Sequence, residues 1–272
     1  KSWGNAIWFD DAAEKMGVDV MRWMYATQNI EHNLLFGYGH ADEVRKKLIQ
    51  LWNSYSFYAT YASVDGFSPE GRKLSDSDLT ILDKWIISKM HTLIKEATDH
   101  YDAFRVDKFM RSFERFLDDL SNWYIRRNRR RFWKAEDDAD KLTAYQTLYE
   151  VLFTTIRLLA PCLPFVSAEI YQNLVRSSIG DAPESIHLCD FPIADEASID
   201  ETLMNQVDAL RKVVEQSRSA RNKANLKIRQ PLAKLCFAVE DDDVAAFIEA
   251  NSKVILDELN VKTLVRVMDI SE

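Results

Sequence analysis

Only three cysteines, seven glycines and six prolines occur in 272 residues. Cys162, Cys189 and Cys236 are odd in number, far apart and form no Cys-x-x-Cys pair. That spacing argues against a disulfide framework and a cysteine zinc site, and makes a reducing, cytoplasmic setting the expectation. The scarcity of Gly and Pro leaves few points at which a helix must stop. No apolar run approaches the roughly eighteen residues of a membrane span, so no membrane partner is expected. The opening "KSWGNAIWFD" has neither the basic-then-apolar layout of a signal peptide nor an initiator Met, and it reads as the middle of a longer chain. A Gly-rich phosphate loop is missing, as are internal repeats and low-complexity tracts. His32, His40, His91, His100 and His187 are scattered, with no Asp, Glu or Cys at ligand spacing, and no metal site is expected. Acidic pairs such as Asp118-Asp119 and Asp137-Asp138 diverge on a helix and make poor general acid/base couples.

What is present is apolar and periodic. Hydrophobic residues make up 47% of the chain and aromatics 11%, enough for one large domain or two modest ones with a real core. Val44, Leu48, Leu51, Tyr55 and Tyr58 draw one stripe on a helix over about 41–62, ended by Asp65-Gly66. Ser75, Asp76 or Ser77 offers an N-cap for a second helix carrying Leu82, Ile86, Met90, Leu93 and Ala97. A third helix is predicted over about 106–134 and a fourth over 139–159. Pro161 and Pro164 interrupt before a short fifth that ends near Val175. Long antiparallel helices with short joins make a bundle. Trp3, Trp8, Trp23, Trp52 and Trp85 are expected in its core.

After Ile179 the texture changes to a loop rich in acids and prolines, with room for one short extended piece. A helix over about 201–222 follows. Then "LAKLCFAVE" reads as a strand, "DDVAAFIEANSKVILDEL" as one helix beginning at an acidic N-terminus, and "VKTLVRVMD" as a second strand. The fold class expected is therefore mainly α: an antiparallel helical bundle followed by a small α/β subdomain.

Two segments stand out by charge. "SNWYIRRNRRRFWK", residues 121–134, holds Arg126, Arg127, Arg129, Arg130, Arg131 and Lys134 with no acid, inside a chain whose formal charge is -8. At 100° per residue the apolar seam of this helix runs through Phe113, Phe116, Leu117, Leu120 and Tyr124. Its extension reaches Arg127 and Arg131, with Arg126, Arg130 and Lys134 on the adjacent flank. A solvated face balanced by acids on neighbouring helices is the ordinary reading. Such faces are normally mixed in sign, and guanidiniums at helical spacing repel unless anions lie between them. Arginine's planar fork matches phosphate and stacks on bases, and Trp123, Tyr124, Phe132 and Trp133 could anchor the helix or stack on nucleotides. The second segment, "RSARNKANLKIRQ", contributes Arg218, Arg221, Lys223, Lys227 and Arg229, more cations than a helix C-terminus alone explains. Together they point to a polyanion that lies across both, an RNA backbone in particular.

With those residues in view, the chain resembles the C-terminal part of the isoleucyl-tRNA synthetase family of class I enzymes. "SNWYIRRNRRRFWK" followed by "TAYQTLYEVL" looks like the core of that family's anticodon-binding bundle. "LLAPCLPFVSAEIYQNL" is similar to the segment that closes it, "ESIHLCDFP" to the loop beyond, and "SARNKANLKIRQPL" to the junction into the small C-terminal subdomain. The likeness covers nearly the whole chain. It implies that Lys1 and Ser2 are the last two residues of the Lys-Met-Ser-Lys-Ser loop, whose second lysine stabilises pyrophosphate charge. It also implies a domain plan: 1–40 the tail of the catalytic domain, 41–178 the anticodon-binding bundle, 179–200 a connecting loop, and 201–272 an α/β junction.

The nucleotide-binding domain, its His-Ile-Gly-His signature, the editing domain and any zinc-bearing extension do not appear in these 272 residues. On this resemblance the full-length enzyme joins isoleucine to tRNA(Ile) with ATP and Mg2+, and the present chain alone is inactive. Its expected partners are tRNA(Ile) and the missing N-terminal catalytic and editing domains, as a monomer and without DNA. Its expected tRNA contacts are Arg126, Arg127, Arg129, Arg130, Arg131, Trp133, Lys134, Arg218, Arg221, Lys223, Lys227 and Arg229. Two alternatives stay open: the same region of a valyl- or leucyl-tRNA synthetase, and a non-enzymatic helical scaffold whose arginines meet acidic protein partners.

Overall fold

A computed structural model describes residues 6–29, 31–133 and 138–268; Lys1, Ser2, Trp3 and Lys134 lie outside the described residues. The chain divides into two compact units, Lys1–Ile199 and Asp200–Glu272.

The first unit is helical. α1 (Phe9–Met16), α2 (Val18–Ala26) and α3 (Tyr38–Asp65) precede α4 (Ile81–Asp102) and α5 (Val106–Asp118). A π-helical turn over Asp119–Ile125 leads without a break into α6 (Arg126–Trp133), and α7 (Asp138–Leu159) and α8 (Pro164–Tyr171) follow. α4 packs on α5 and α7, and α3 on α2, α7 and the π turn. Their shared core includes Trp23, Trp85, Phe109, Phe113, Tyr124 and Tyr145. Gly66 ends α3 at φ 63°, a left-handed conformation that glycine adopts without a Cβ penalty. Two of the expected core tryptophans are not there. Trp8, just ahead of α1, is 71% exposed, and Trp52 is 39% exposed because it stands one residue around the helix from buried Leu51.

The cap of α4 is not in the Ser75–Ser77 stretch. Thr80 accepts from the Asp83 N–H at 3.3 Å, and the Asp83 carboxylate accepts from the Thr80 N–H at 2.9 Å, a reciprocal capping box. Asp83 has no exposed surface and does more than cap. Its other oxygen accepts from the Tyr124 hydroxyl at 2.6 Å and from Arg131 Nη1 at 2.9 Å. Arg131 Nε donates to Asp140 at the start of α7 at 2.9 Å. Burial alone would lower the Arg131 pKa, but the hydrogen bonds to Asp83 and Asp140 outweigh it and hold the guanidinium above its ordinary value. Burial and the Asp83 charge together keep the Tyr124 hydroxyl protonated. One carboxylate thus joins the first turn of α4, the π turn, α6 and, through Arg131, α7.

The seam of the third helix also differs from expectation. Phe113, Phe116, Leu117, Leu120 and Tyr124 are buried as the period predicts, but the next inward positions are Asn128 and Phe132, not Arg127 and Arg131. The offset is one residue. A π turn closes i→i+5 bonds and so accommodates one residue more than an α turn, which rotates everything after it. Trp123, Tyr124 and Ile125 are consequently all buried. Phe132 is clasped edge-on between Phe57 at 5.0 Å and Tyr145 at 5.1 Å.

In 179–200 the described backbone has two short 3-10 turns, Ile186–Leu188 and Glu196–Ser198, in place of an extended piece. The second unit opens with α9 (Glu201–Lys223), capped by Asp200 through the Leu203 N–H at 2.8 Å. Then come β1 (Leu232–Phe237), α10 (Asp242–Ala250), α11 (Ser252–Leu259) and β2 (Val261–Arg266). The strands are parallel, in register from Leu232 opposite Val261 to Phe237 opposite Arg266, as a helical crossover requires. Asp241 caps α10, fulfilling the role expected of the acidic run. The single helix predicted between the strands is two, because Asn251 turns its side-chain amide back onto the Phe247 carbonyl at 2.8 Å and leaves helical geometry. α9 buries Leu203, Val207, Leu210 and Val214, and α11 buries Ile255 and Leu259.

Two stability tests follow from these interactions. Arg131→Met leaves Asp83 buried with one partner fewer, and should lower stability in urea, read by helical circular dichroism, by about 3–5 kcal/mol. Adding Asp83→Asn should restore part of that loss. Asp65, held by Lys141 and by the Tyr145 hydroxyl at 2.6 Å, and Asp107, held by Arg105 at 2.8 Å, both have lowered carboxyl pKa values. Their stabilisation is complete above about pH 4, the unfolded carboxyl range, and fades as pH falls through the lower native values. Asp65→Asn should therefore reduce the urea midpoint at pH 7 and shrink the difference between pH 7 and pH 3.

Candidate nucleic-acid interface

α6 presents its cations in two ways. Arg131, at its inner edge, is bonded to Asp83 and Asp140 and is not available to a ligand. This corrects its expected place among the tRNA contacts: a buried carboxylate claims the guanidinium. Arg127 is half-buried beside the seam. The outer face carries Arg126, Arg129 and Arg130, all exposed. Their spacing of three and four residues puts them on one side of the helix, where like charges repel unless something anionic lies between. Among the described residues no carboxylate pairs with Arg129 or Arg130, and the Arg129 guanidinium rests over the Phe57 ring at 5.8 Å.

Of the four aromatics in the segment, Trp123, Tyr124 and Phe132 are buried anchors. Trp133 alone is open, 51% exposed, with its ring 6.3 Å from Tyr61. The result is a short helix held down by Phe132 and Arg131 on one side, with three guanidiniums and an indole on the other. Such a surface can bind phosphate oxygens through forked donors and stack a base on the indole. Lys134 lies outside the described residues.

The second unit sorts its basic residues in a similar way. Arg221 is 5% exposed and donates to the carbonyls of Lys227 at 3.0 Å, Gln230 at 3.1 Å and Leu259 at 2.7 Å. It ties the end of α9 to the following turn and to the end of α11. Here too a residue expected to contact tRNA is internal, because four backbone carbonyls converge where its guanidinium sits. Arg218 is paired with Glu258, a largely buried acid of α11. Lys223, Lys227 and Arg229 are exposed. The backbone that carries the last two is pinned, since the Lys227 carbonyl accepts from Arg221 and the Arg229 carbonyl accepts from Asn260 at 2.9 Å. Their side chains therefore project from a fixed turn. Among the described residues no group of three His, Cys, Asp or Glu side chains could hold a metal ion, and no helix is long and apolar enough to cross a membrane.

Residue-level signals for the two internal arginines were present in part. Thr80-x-x-Asp83 is a capping-box pattern, and Asp83 shares the inward phase of Ile86 and Met90 on α4. A buried acid calls for a buried cation. No comparable signal marks Arg221, whose partners are backbone carbonyls.

Comparisons with known proteins agree with this architecture. The isoleucine–tRNA ligase of Dehalococcoides mccartyi (strain 195) is 44% identical over 266 residues, covering 97% of this chain and 26% of that protein. The ligase of the same name from Clostridium tetani is 41% identical over 273 residues, 100% of this chain and 26% of that protein. That of Pyrococcus furiosus is 39% identical over 267 residues, 97% of this chain and 25% of that protein. The chain thus spans about a quarter of the length of the curated relatives it matches. Among solved structures, a ternary complex of LeuRS, tRNA and LeuAMS from Agrobacterium radiobacter K84 superposes with a TM-score of 0.53 at 13% identity, over 74% of this chain and 23% of that one, which is a likeness of fold. Residues 83–236 match the family described as the anticodon-binding domain of tRNA ligase, a span that runs from the buried Asp83 to the first strand, and the chain belongs to that family.

Proposed function

We propose that this chain is the tRNA-gripping part of an isoleucine–tRNA ligase, and that its partner is tRNA(Ile). The observation that carries the reading is the outer face of α6, where Arg126, Arg129 and Arg130 stand exposed with Trp133 at their end, in a chain of net charge -8. Acid elsewhere would repel phosphate and confine RNA to that face. Phosphate contacts from these arginines would position the stem-loop, and unstacked loop bases would be read by stacking and edge contacts. In the second unit, Lys223, Lys227 and Arg229 are the cations placed for the same task.

The match to isoleucine–tRNA ligases along the whole chain supports isoleucine over valine or leucine, and the neighbour solved with tRNA supports RNA over an acidic protein partner. In this proposal residues 1–40 belong to the end of a catalytic domain, 41–178 to the bundle, 179–200 to a connecting loop and 201–272 to the junction. The full-length ligase would use ATP and Mg2+ to activate isoleucine. Lys1 and Ser2, as the tail of its ATP loop, would act there. The protein would be a cytoplasmic monomer.

Titrating a tRNA(Ile) transcript across a range of salt tests the reading. Affinity should fall steeply, with a log-log slope of about 0.7 for each neutralised single-strand phosphate. Arg130→Glu should weaken binding about tenfold or more and lower that slope by about one, while leaving the thermal transition in place. Transcripts of tRNA(Val) and tRNA(Leu) should bind less well. Salt-independent or absent binding would overturn the proposal in favour of a protein-interaction scaffold.

A further inference from the structure

A cavity of about 580 Å3 opens in the first unit between α4, α7 and the loop around Phe191, a size within the range of small-ligand sites. Its walls are apolar: Leu79, Met90, Ile94, Phe191, Pro192 and Ile193. Set into them are polar groups of both kinds. The Arg157 guanidinium sits over the Phe153 ring, 4.3 Å from its centroid. Its contact with Thr154 Oγ1 is long, at 3.4 Å, and its Nε is buried with no hydrogen-bond partner. Burial lowers its pKa from the ordinary guanidinium value, the signature of a cation short of compensation. His91 uses Nδ1 to accept from the Asp195 N–H at 3.0 Å, so the neutral ring carries its proton on Nε2.

The charge balance argues against a phosphate deep inside. Asp76, Glu150 and Asp190 line the cavity alongside Arg72, Lys73 and Arg157, three acids against three bases. A group with apolar faces and an edge of donors and acceptors meets all of these features. That description is a nucleobase. Arginine pairs with acceptors on a base edge, a carboxylate accepts from an exocyclic amine, and aliphatic and aromatic walls receive the flat faces.

The cavity also continues toward the start of α7. Arg72 and Lys73, both exposed, line a second hollow of about 320 Å3 together with Ala139, Thr143 and Gln146. Ala139, Thr143, Gln146, Glu150, Thr154 and Arg157 recur every three or four residues along one face of α7. That face starts beside Asp140, the partner of Arg131 on α6. Gln146 is 3% exposed and donates to Glu150 at 2.8 Å, but its Oε1 has no partner. One face of α7 thus holds a free acceptor and a free donor, eleven residues or about 16 Å apart.

We propose that the cavity between α4, α7 and the Phe191 loop receives one unstacked base of the bound RNA, read on its edge by Arg157, with Arg72 and Lys73 at the mouth holding the flanking phosphates. This rests on the tRNA-binding reading above and names where a loop nucleotide goes. The strand reaches the cavity by way of the hollow that Arg72 and Lys73 share with Ala139 and Thr143.

The test compares affinities for the tRNA(Ile) transcript and for transcripts carrying a single abasic nucleotide at each unpaired position of the anticodon loop. With the unaltered chain, one abasic position should cost about tenfold, the worth of a good edge contact. Arg157→Gln should cost about as much on the intact transcript and nothing further on that one abasic transcript. Ile193→Asp, at a rim residue 89% exposed that can be changed without unfolding the bundle, should give the same position-specific pattern. Equal losses on every transcript, or no loss from either variant while Arg130→Glu still weakens binding, would overturn the cavity assignment and leave tRNA binding intact. Absence of RNA affinity in the unaltered chain would instead remove the reading on which it rests.

Discussion

The buried carboxylate of Asp83 organises the helical unit. It accepts from the backbone N–H of Thr80, from the Tyr124 hydroxyl and from Arg131, and so meets the start of α4, the π turn and α6 at one point. An isolated carboxylate at that depth would be strongly disfavoured, and four converging donors, the Thr80 hydroxyl at 2.7 Å included, make it tolerable. The geometry is demanding in return, since each donor must arrive from a fixed direction. α6 therefore has one azimuth compatible with its own burial, the one that brings Arg131 to Asp83 and seats Phe132 between Phe57 and Tyr145. The bearing of the outer cationic face is a consequence of ion pairing on the inner one.

The same division of labour appears in the second unit. Arg221 gives both terminal nitrogens to main-chain carbonyls, and by doing so fixes the turn from which Lys227 and Arg229 project. In both units an internal guanidinium sets the position and external cations face solvent. A lysine could not replace either internal arginine, because a point-like ammonium cannot reach several acceptors in one plane. Exposed neighbours used for phosphate would be far more forgiving of such an exchange.

Much of this was legible in the residues. The helices from α3 to α9, the strand–helix–strand end and the acidic cap of α10 follow from period and composition, whereas α1 and α2 do not. Of the basic segments, the sequence showed where charge is concentrated, but not which members turn inward. The helical period places Arg131 on the seam, but Asn128 and Phe132 hold the inward positions, and the arginine is drawn in by an acid nearly fifty residues away. Periodicity carries no information about such a partner. The internal role of Arg221, named from sequence as a tRNA contact, has no sequence signal because its acceptors are carbonyls, which every residue possesses. The split of α10 from α11 turned on one asparagine whose side chain competes for a backbone acceptor. The hollow along α7 is assembled from four separate stretches, and only folding brings them together.

The π turn between α5 and α6 has one more implication. Because it takes up a single supernumerary residue, the compass bearing of the arginine face is stored in the wider winding of the turn between Asp118 and Arg126. Wound as a plain α-helix, the same residues would swing the face by about 100°, carrying Phe132 toward water and the guanidiniums toward the core. Tyr124, bonded to Asp83 from within that turn, fixes the point about which the face is set.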